Sequence, residues 1–502
     1  MSVSAPRSEL VIREGKIVLK KQKSEPKQVK LRRLIIQDYC YLDFLYGNLM
    51  INNKIMIKRT KTFIITLIVL SIILLAVTVI WITINSQDIP MPDTSDLAFK
   101  TVVVPDMDNA YIYFKKAREL FYSSEQESNQ VKSILSGGAW DEELLKGLIS
   151  KNNEVLNLIK RGLECPIYQR LDDPRLEKFQ SLVKLVKIAK LVALRTTHER
   201  QTMQSEQALN SCLDLLSFGS LIIAHPGSLI EYIIGLSILE SGLKETRQLL
   251  DESYLTETQL LRLSEHLKKI SSLDEGLISA IKVDFHFVSE MIHDFDSEFQ
   301  NDDSTKYSIT HQFFRRYCFQ PNRTKRMFAA RCRTMINNAS KPYADMDLPK
   351  VIFFDSDVRM FIQKLRPNGL AKLLLPHSGF YNSFLRGKCE PQACLTAIRL
   401  VVACRIYETK HGHLPDTLEH LVPLFFDDVP RDPFDGEPFR YLPKQAVVYS
   451  VGKNIKDSGI PKKTTVNTVI SKNNKRGKKT NDLFYNIHGD LENIAPADVS
   501  EQ

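Results

Sequence analysis

The sequence predicts a mainly α-helical protein with three parts: an N-terminal transmembrane helix, a helical exterior domain of bundle or solenoid-like form, and a small C-terminal α+β module. Three observations predict it. Phe63 to Ile84 runs for twenty-two residues without a charge. From Asp106 to about Ile336 apolar residues recur at helical spacing almost throughout. After Gly412 the pattern turns to Pro and Gly punctuation with alternating apolar residues, the signature of short strands and turns.

As a helix, the apolar run is long enough to cross the roughly 30 Å hydrocarbon core of a bilayer. Lys54, Lys58, Arg59 and Lys61 precede it, whereas Asp88, Asp93 and Asp96 follow it before the first basic residue, Lys100. Basic flanks stay on the cytoplasmic side, so the N-terminus is expected inside and everything from about Asn85 outside. A cleaved signal peptide is the competing reading. Its apolar stretch is shorter, and Ile84-Asn-Ser-Gln-Asp-Ile offers no small-x-small cleavage site.

Charge divides at the same place. The chain has 68 basic and 59 acidic residues, of which 14 and 5 lie in residues 1–61, leaving 54 of each beyond. The net charge of +9 therefore belongs to the tail. A basic tail beside a membrane meets anionic lipid headgroups, and this makes the lipid bilayer, not nucleic acid, the expected partner. Little helical or strand periodicity is read in residues 1–47. The seven cysteines beyond the span, Cys165, Cys212, Cys318, Cys332, Cys389, Cys394 and Cys404, are too sparse for a disulfide scaffold and form no C-x-x-C pair. Buried single thiols are expected.

A first exterior helix is predicted from Asp106 to about Phe121, with Ala110, Tyr113, Ala117 and Leu120 as its apolar stripe. Others follow at Asp141–Leu163, Pro174–Arg195, Ser205–Ala224, Leu229–Leu250, Glu257–Ser271 and Leu273–Asp296. In the third, Phe179, Leu182, Val183, Val186 and Ala189 are expected inward and the lysines between them outward. Leu221 to Leu243 is apolar enough for a second span, but Glu231 and Glu240 are costly at bilayer depth. His225-Pro226-Gly227 makes it two buried helices joined by a turn. Residues 337–391, with Lys341-Pro, Leu348-Pro, Arg366-Pro and Leu375-Pro, read as short helices and loops.

From Gln392 a helical stripe of Ala397, Leu400, Val401, Cys404 and Tyr407 ends at His411-Gly412, a helix stop. A short helix at His413–Pro423, capped by Asp416 or Thr417, comes next. Val429-Pro-Arg-Asp-Pro-Phe-Asp-Gly-Glu-Pro-Phe-Arg-Tyr441 and Val447-Val-Tyr-Ser-Val-Gly452 then predict a hairpin or small meander, and Asn481-Asp482-Leu-Phe-Tyr a returning strand. Tyr407 to Pro415, Val429 to Tyr441 and Tyr449 to Gly452 together resemble the C-terminal part of the type II secretion major pseudopilin. The whole layout is similar to that of uncharacterised single-pass bacterial envelope proteins with this same ending. The resemblance implies a place in the bacterial inner membrane, with the bulk of the chain periplasmic, and other envelope proteins as partners. Two features depart from the pilin spine. Thr62 precedes Phe63 where the family has its peptidase-site Gly, and Leu67 takes the place of its Glu. The span is thus expected to be a plain, uncleaved anchor.

The resemblance also implies a calcium loop after the Tyr-Ser-Leu-Gly strand end, built from acidic oxygens. The available acids are Asp457 and Asp482, separated by a basic insertion, residues 453–479, that holds nine Lys or Arg and one acid. No other cofactor is expected. His286, Glu290 and His293, spaced i, i+4, i+7, share one helix face and are a candidate transition-metal set. The simpler reading is a polar helix face. His411, His413 and His420 read as turn residues. Between Phe313 and Met335, seven basic residues interleave with aromatics, which predicts an amphipathic helix with a basic wet side.

The predicted organisation is a basic cytoplasmic tail (1–61), the transmembrane helix (62–85), the helical exterior domain (86–336), a mixed connecting segment (337–391), the pseudopilin-like module (392–490) and a short tail (491–502). The expected function is a membrane-anchored scaffold or interaction protein facing the periplasm. The alternative is a metal-dependent envelope hydrolase using His286, Glu290 and His293.

Overall fold

The computed structural model describes residues 9–13, 16–20, 55–99, 104–170, 179–252, 255–301, 316–348, 366–371, 375, 378–457, 459 and 482–488. These fall into two units, Met1–Ile84 and Asn85–Gln502. In the first, strands β1 (Glu9–Arg13) and β2 (Lys16–Lys20) pair antiparallel with Val11 opposite Val18. The tail thus contains a hairpin that the reading of little periodicity in residues 1–47 missed. The signal was two β-rich pentapeptides separated by two residues. Helix α1 spans Ile55–Ser86, and from Phe63 onward it is apolar, with mean hydropathy 3.2, and unburied. Its hydroxyls turn back on the helix itself: Ser71 to the Ile68 carbonyl (2.9 Å), Thr78 to Leu74 (2.7 Å) and Thr83 to Val79 (2.8 Å). Hydroxyls that bond back to their own helix suit an apolar solvent.

The second unit is mainly helical with a small sheet. Helices α2 (Ala110–Leu120), α3 (Glu125–Ile134), α4 (Glu142–Lys151), α5 (Asn153–Leu163) and α6 (Phe179–Gln201) build a first core against α7 (Ser205–Ala224) and α8 (Leu229–Glu252). A second core lies on the other faces of α7 and α8. It gathers α9 (Glu257–Lys268), α10 (Leu273–Asn301), α11 (Pro321–Ala339), α12 (Ser378–His411) and the sheet. Leu215, Phe218 and Ile222 of α7 face the first core, and Leu209, Cys212, Leu216 and Ile223 face the second. The sheet is an antiparallel meander, β3 (Arg440–Leu442), β4 (Val447–Ser450) and β5 (Leu483–Asn486), with Val448 opposite both Tyr441 and Tyr485.

Local chemistry sets the helix boundaries. Ser124 with Glu127, and Thr256 with Gln259, form reciprocal capping boxes on α3 and α9. Asn109 caps α2 through the Tyr111 amide, after a 3-10 turn at Asp106–Asp108 that replaces the predicted helix start. Of the predicted α2 stripe, Ala110 and Ala117 are buried, but Tyr111 and Phe114 are buried beside them and Leu120 is 45% exposed, so the face is turned toward Tyr111 and Phe114. The single helix predicted at Asp141–Leu163 is two, broken at buried Asn152. That side chain accepts the Tyr122 amide and donates to the Tyr122 and Leu148 carbonyls, satisfying backbone groups that a helix would leave orphaned. Phe179, predicted inward, is exposed at the start of α6.

Helix α12 starts at Ser378, so the predicted boundary at 391/392 falls inside it. Pro391 is tolerated in its interior, and Gly412 ends it at φ 78°. The short helix at His413–Pro423 is a 3-10 turn, Leu418–Leu421, with no side-chain cap from Thr417. Residues 174–178, 313–315 and 349–365, and most of the basic insertion, lie outside the described residues. The described cysteines beyond the span are all free thiols, buried except for half-buried Cys394.

Helices α7 and α8 cross with their backbones in contact. A Cβ on Gly219 would sit 2.5 Å from the Leu239 nitrogen and 2.8 Å from the Gly235 oxygen, whereas one on Gly147 in α4 would meet nothing within 4 Å. Gly219→Ala should therefore lower the unfolding free energy of the detergent-solubilised protein by about 2–3 kcal/mol. Gly147→Ala should raise it by up to ~1 kcal/mol, both read by chemical denaturation.

Candidate functional site

Of the three residues predicted on one face of α10, two meet. His286 Nε2 lies 3.1 Å from Glu290 Oε1, with both side chains close to half exposed. His286 also packs edge-on against Phe99, ring centres 5.0 Å apart. His293 is exposed one turn further on. Among the described residues no three His, Cys, Asp or Glu side chains gather as a metal-ligand set. His411, His413 and His420 surround Tyr407 instead, with centroid distances of 4.2, 6.0 and 6.3 Å.

In the C-terminal module, one of the two acids suggested for calcium, Asp457, lies beside a guanidinium. Arg440 on β3 forms an ion pair with Asp435 and lies 3.4 Å from Asp432 and 3.6 Å from Asp457. Asp457 also receives the Tyr449 hydroxyl at 3.3 Å and the Gly459 amide at 3.1 Å. Asp482 is buried just before β5. Burial, followed by the charge of Asp457, pushes the Tyr449 phenol up to about 12. One fixed cation thus serves three carboxylates, the service a hard metal ion gives such loops.

Asp432 explains why two of the sequence motifs occur together. It lies in Val429-Pro-Arg-Asp-Pro-Phe-Asp-Gly, and its carboxylate receives the Phe434 amide (2.9 Å), the Ser450 hydroxyl (3.0 Å) and the Val451 amide (2.9 Å). The Pro-Phe-Asp-Gly turn is therefore sewn to the end of β4. Gly436, at φ 81°, lets that turn close. Burial raises the Asp432 carboxyl above its ordinary range, against these hydrogen bonds. Asp432 and Arg440 were inside the quoted motif, but nothing in the spacing showed that they would meet Asp457.

A second cluster is buried at the start of α8. Glu231 pairs with Arg170, their side chains 1% and 4% exposed. It also accepts the Gly227 amide at 2.7 Å. Asp284 of α10 accepts the adjacent Leu229 amide at 3.1 Å. Burial, reinforced by the Glu231 charge, pushes Asp284 up to about 6. Nearby, burial also raises Cys332 and Tyr381, so that thiol is protonated and packs as a small apolar group. Beside Tyr381, between α11 and α12, opens a cleft of about 190 Å³ lined by Arg331, Thr334, Met335, Asn338 and Asn382. Its walls are largely apolar, and buried Asn338 is held by its own bonds to the Thr334 and Asp347 backbone. The sequence signal for the cluster was Glu231, a charge inside an apolar run that demands a partner. Nothing marked Arg170 as that partner.

Two outcomes follow from the geometry. A raised carboxyl stabilises the fold below its unfolded pKa and loses that contribution as pH climbs through its folded value. Asp284→Asn keeps an acceptor for Leu229, so it should be more stable than the parent by on the order of 2 kcal/mol at pH 8, with the gap closing by pH 4 in denaturant titrations. Arg440→Ala leaves Asp432 without its cation and should cost about 2 kcal/mol, while a calcium chelator should leave the melting temperature of the parent unchanged. Compared with known proteins, the chain matches no family model, no curated protein and no solved structure.

Proposed function

We propose that this chain is a single-pass membrane protein that carries a scaffold or interaction unit outside the cytoplasm. The observation that supports this most directly is α1. It is apolar and unburied from Phe63 onward, its hydroxyls bond to its own backbone, and no packed core of the protein claims it. The basic residues before it and the acidic ones after it favour a cytoplasmic N-terminus. The exterior unit then faces the periplasm of a bacterium with two membranes, where the pseudopilin-like ending suggests envelope or secretion machinery as partners.

The ionisable groups support binding over catalysis. Glu231 is held by Arg170, Asp432 by two amides and a hydroxyl, and Asp457 by Tyr449. Each is engaged in holding the fold, and the largely apolar cleft between α11 and α12 offers a surface for contact.

An alkaline phosphatase fused after Gly459 should be active in whole cells, while the same enzyme fused before Lys54 should be silent. A well-expressed but silent fusion at Gly459 would overturn the topology.

A further inference from the structure

The exterior unit begins with a strap, residues 85–97, laid along helix α11. Gln320 Nε2 donates to the Asn85 carbonyl. Asp88 takes the Asn322 amide at 2.7 Å and the Arg323 amide at 3.0 Å, capping α11 from far away in sequence where Gln320, its own N-cap residue, supplies no side-chain bond. Asn322 Nδ2 donates to the Ile89 carbonyl at 2.9 Å. At the other end Arg333 holds both oxygens of Asp96, at 2.7 and 2.9 Å, together with the Asp93 carbonyl at 2.9 Å. Leu97 then enters the second core.

This strap fixes a distance. Ile84 is the last residue of the apolar run, and Asp88 is four residues on. Four extended residues reach at most about 14 Å, so the start of α11 is tied close to wherever that run ends. The same end is basic. Pro321–Ala339 contains five Lys or Arg and no acid. Thr324, Phe328, Cys332 and Met335 are its buried face, which puts Arg323, Arg326, Ala330 and Arg333 on the opposite ridge. Arg333 is engaged by the strap. Arg323 and Arg326 lie on the ridge toward the anchored end. Exposed Arg316 and Arg366 are held near by the Asn368 amide to the Tyr317 carbonyl (2.8 Å) and by the Gln320 amide to Asn368 Oδ1 (2.9 Å).

We propose that this end of α11, with Arg316, Arg323, Arg326 and Arg366, docks on the anionic phospholipid headgroups of the membrane that anchors the chain. The inference rests on the anchoring reading above. Exposed charges act over about 10 Å at 0.1 M salt, which matches the reach that the strap allows. Arginine suits phosphate because its planar fork bonds two oxygens at once. Docking holds the exterior unit flat against the bilayer, so the surface it offers to partners stands at a fixed height.

Full-length protein in nanodiscs of phosphatidylcholine alone, and of phosphatidylcholine with phosphatidylglycerol, tests this by phenylglyoxal labelling of arginines read by mass spectrometry. Labelling of Arg316, Arg323 and Arg326 should fall about threefold or more in the anionic discs and recover at 0.5 M salt, with exposed Arg431 in the distant turn as the unchanged control. In the Arg323→Glu, Arg326→Glu double variant the protection of Arg316 should disappear. Co-elution with the discs but equal labelling in both lipids overturns the docking alone. Failure to co-elute with either disc overturns the anchoring reading and the docking with it.

Discussion

The second unit, residues 85–502, depends on how the first turn of α8 is satisfied. A buried carboxylate costs several kcal/mol unless a cation and hydrogen bonds compensate it, and Glu231 has both: Arg170 and the Gly227 amide. Its place in the first turn of the helix adds the favourable field of the backbone dipoles. Arg170 comes from the chain after α5 and Asp284 from α10, so one helix end ties together parts of the sequence that belong to different cores. Gly227 is obligatory here. A Cβ would fall 2.5 Å from the Glu231 carboxylate and 2.6 Å from the Arg170 side chain.

That junction matters because α7 and α8 form a wall with two wet-free faces. Each helix gives residues to both cores, which explains why neither shows the single apolar stripe of a surface helix and why α7, apolar enough to span a membrane, is mostly buried. Packing on both sides pulls the two helices together until only glycine fits at Gly219, with close approaches also at Gly235 and Gly242. The wall then transmits any shift in one core to the other, since close-packed interiors do not absorb displacement locally.

What was legible in the sequence follows the range of the interactions. The span, the α7–α8 turn at His225-Pro226-Gly227 and the meander after Gly412 are fixed by neighbours in sequence, and their residues announced them. The break at Asn152 was not legible, because it depends on Tyr122, thirty residues away. The rotation of α2 depends on which face Tyr168 and Phe218 cover. The first fourteen residues of α12 were hidden because the prolines of 337–391 set that stretch as short helices and loops, while packing of Tyr381, Phe384 and Leu385 in the second core holds a continuous helix from Ser378. At the candidate site, the acids of the module were visible. Their partner, Arg440, sat in the quoted motif as an ordinary strand residue.

The same contrast bears on what the C-terminal module can do. Strand β5 is joined to β4 across a long insertion, a connection that by itself specifies little, since each doubling of a loop costs only ~0.6 kcal/mol. Its position is set from the helical side. Arg247 of α8 donates to the Phe484 carbonyl at 3.0 Å and lies 4.8 Å above the Tyr485 ring. Arg405 of α12 bridges the Ile487 and Leu250 carbonyls. With Val448, Val451, Tyr485 and Ile487 inside the second core, the sheet is a layer of the helical unit and not a module hung from it. A partner that grips the sheet therefore grips the whole exterior unit, and force or recognition at one end is carried by α8 and α12 to the other. Because Arg440 is part of the chain, the charge beside Asp432, Asp435 and Asp457 cannot dissociate as a bound ion can.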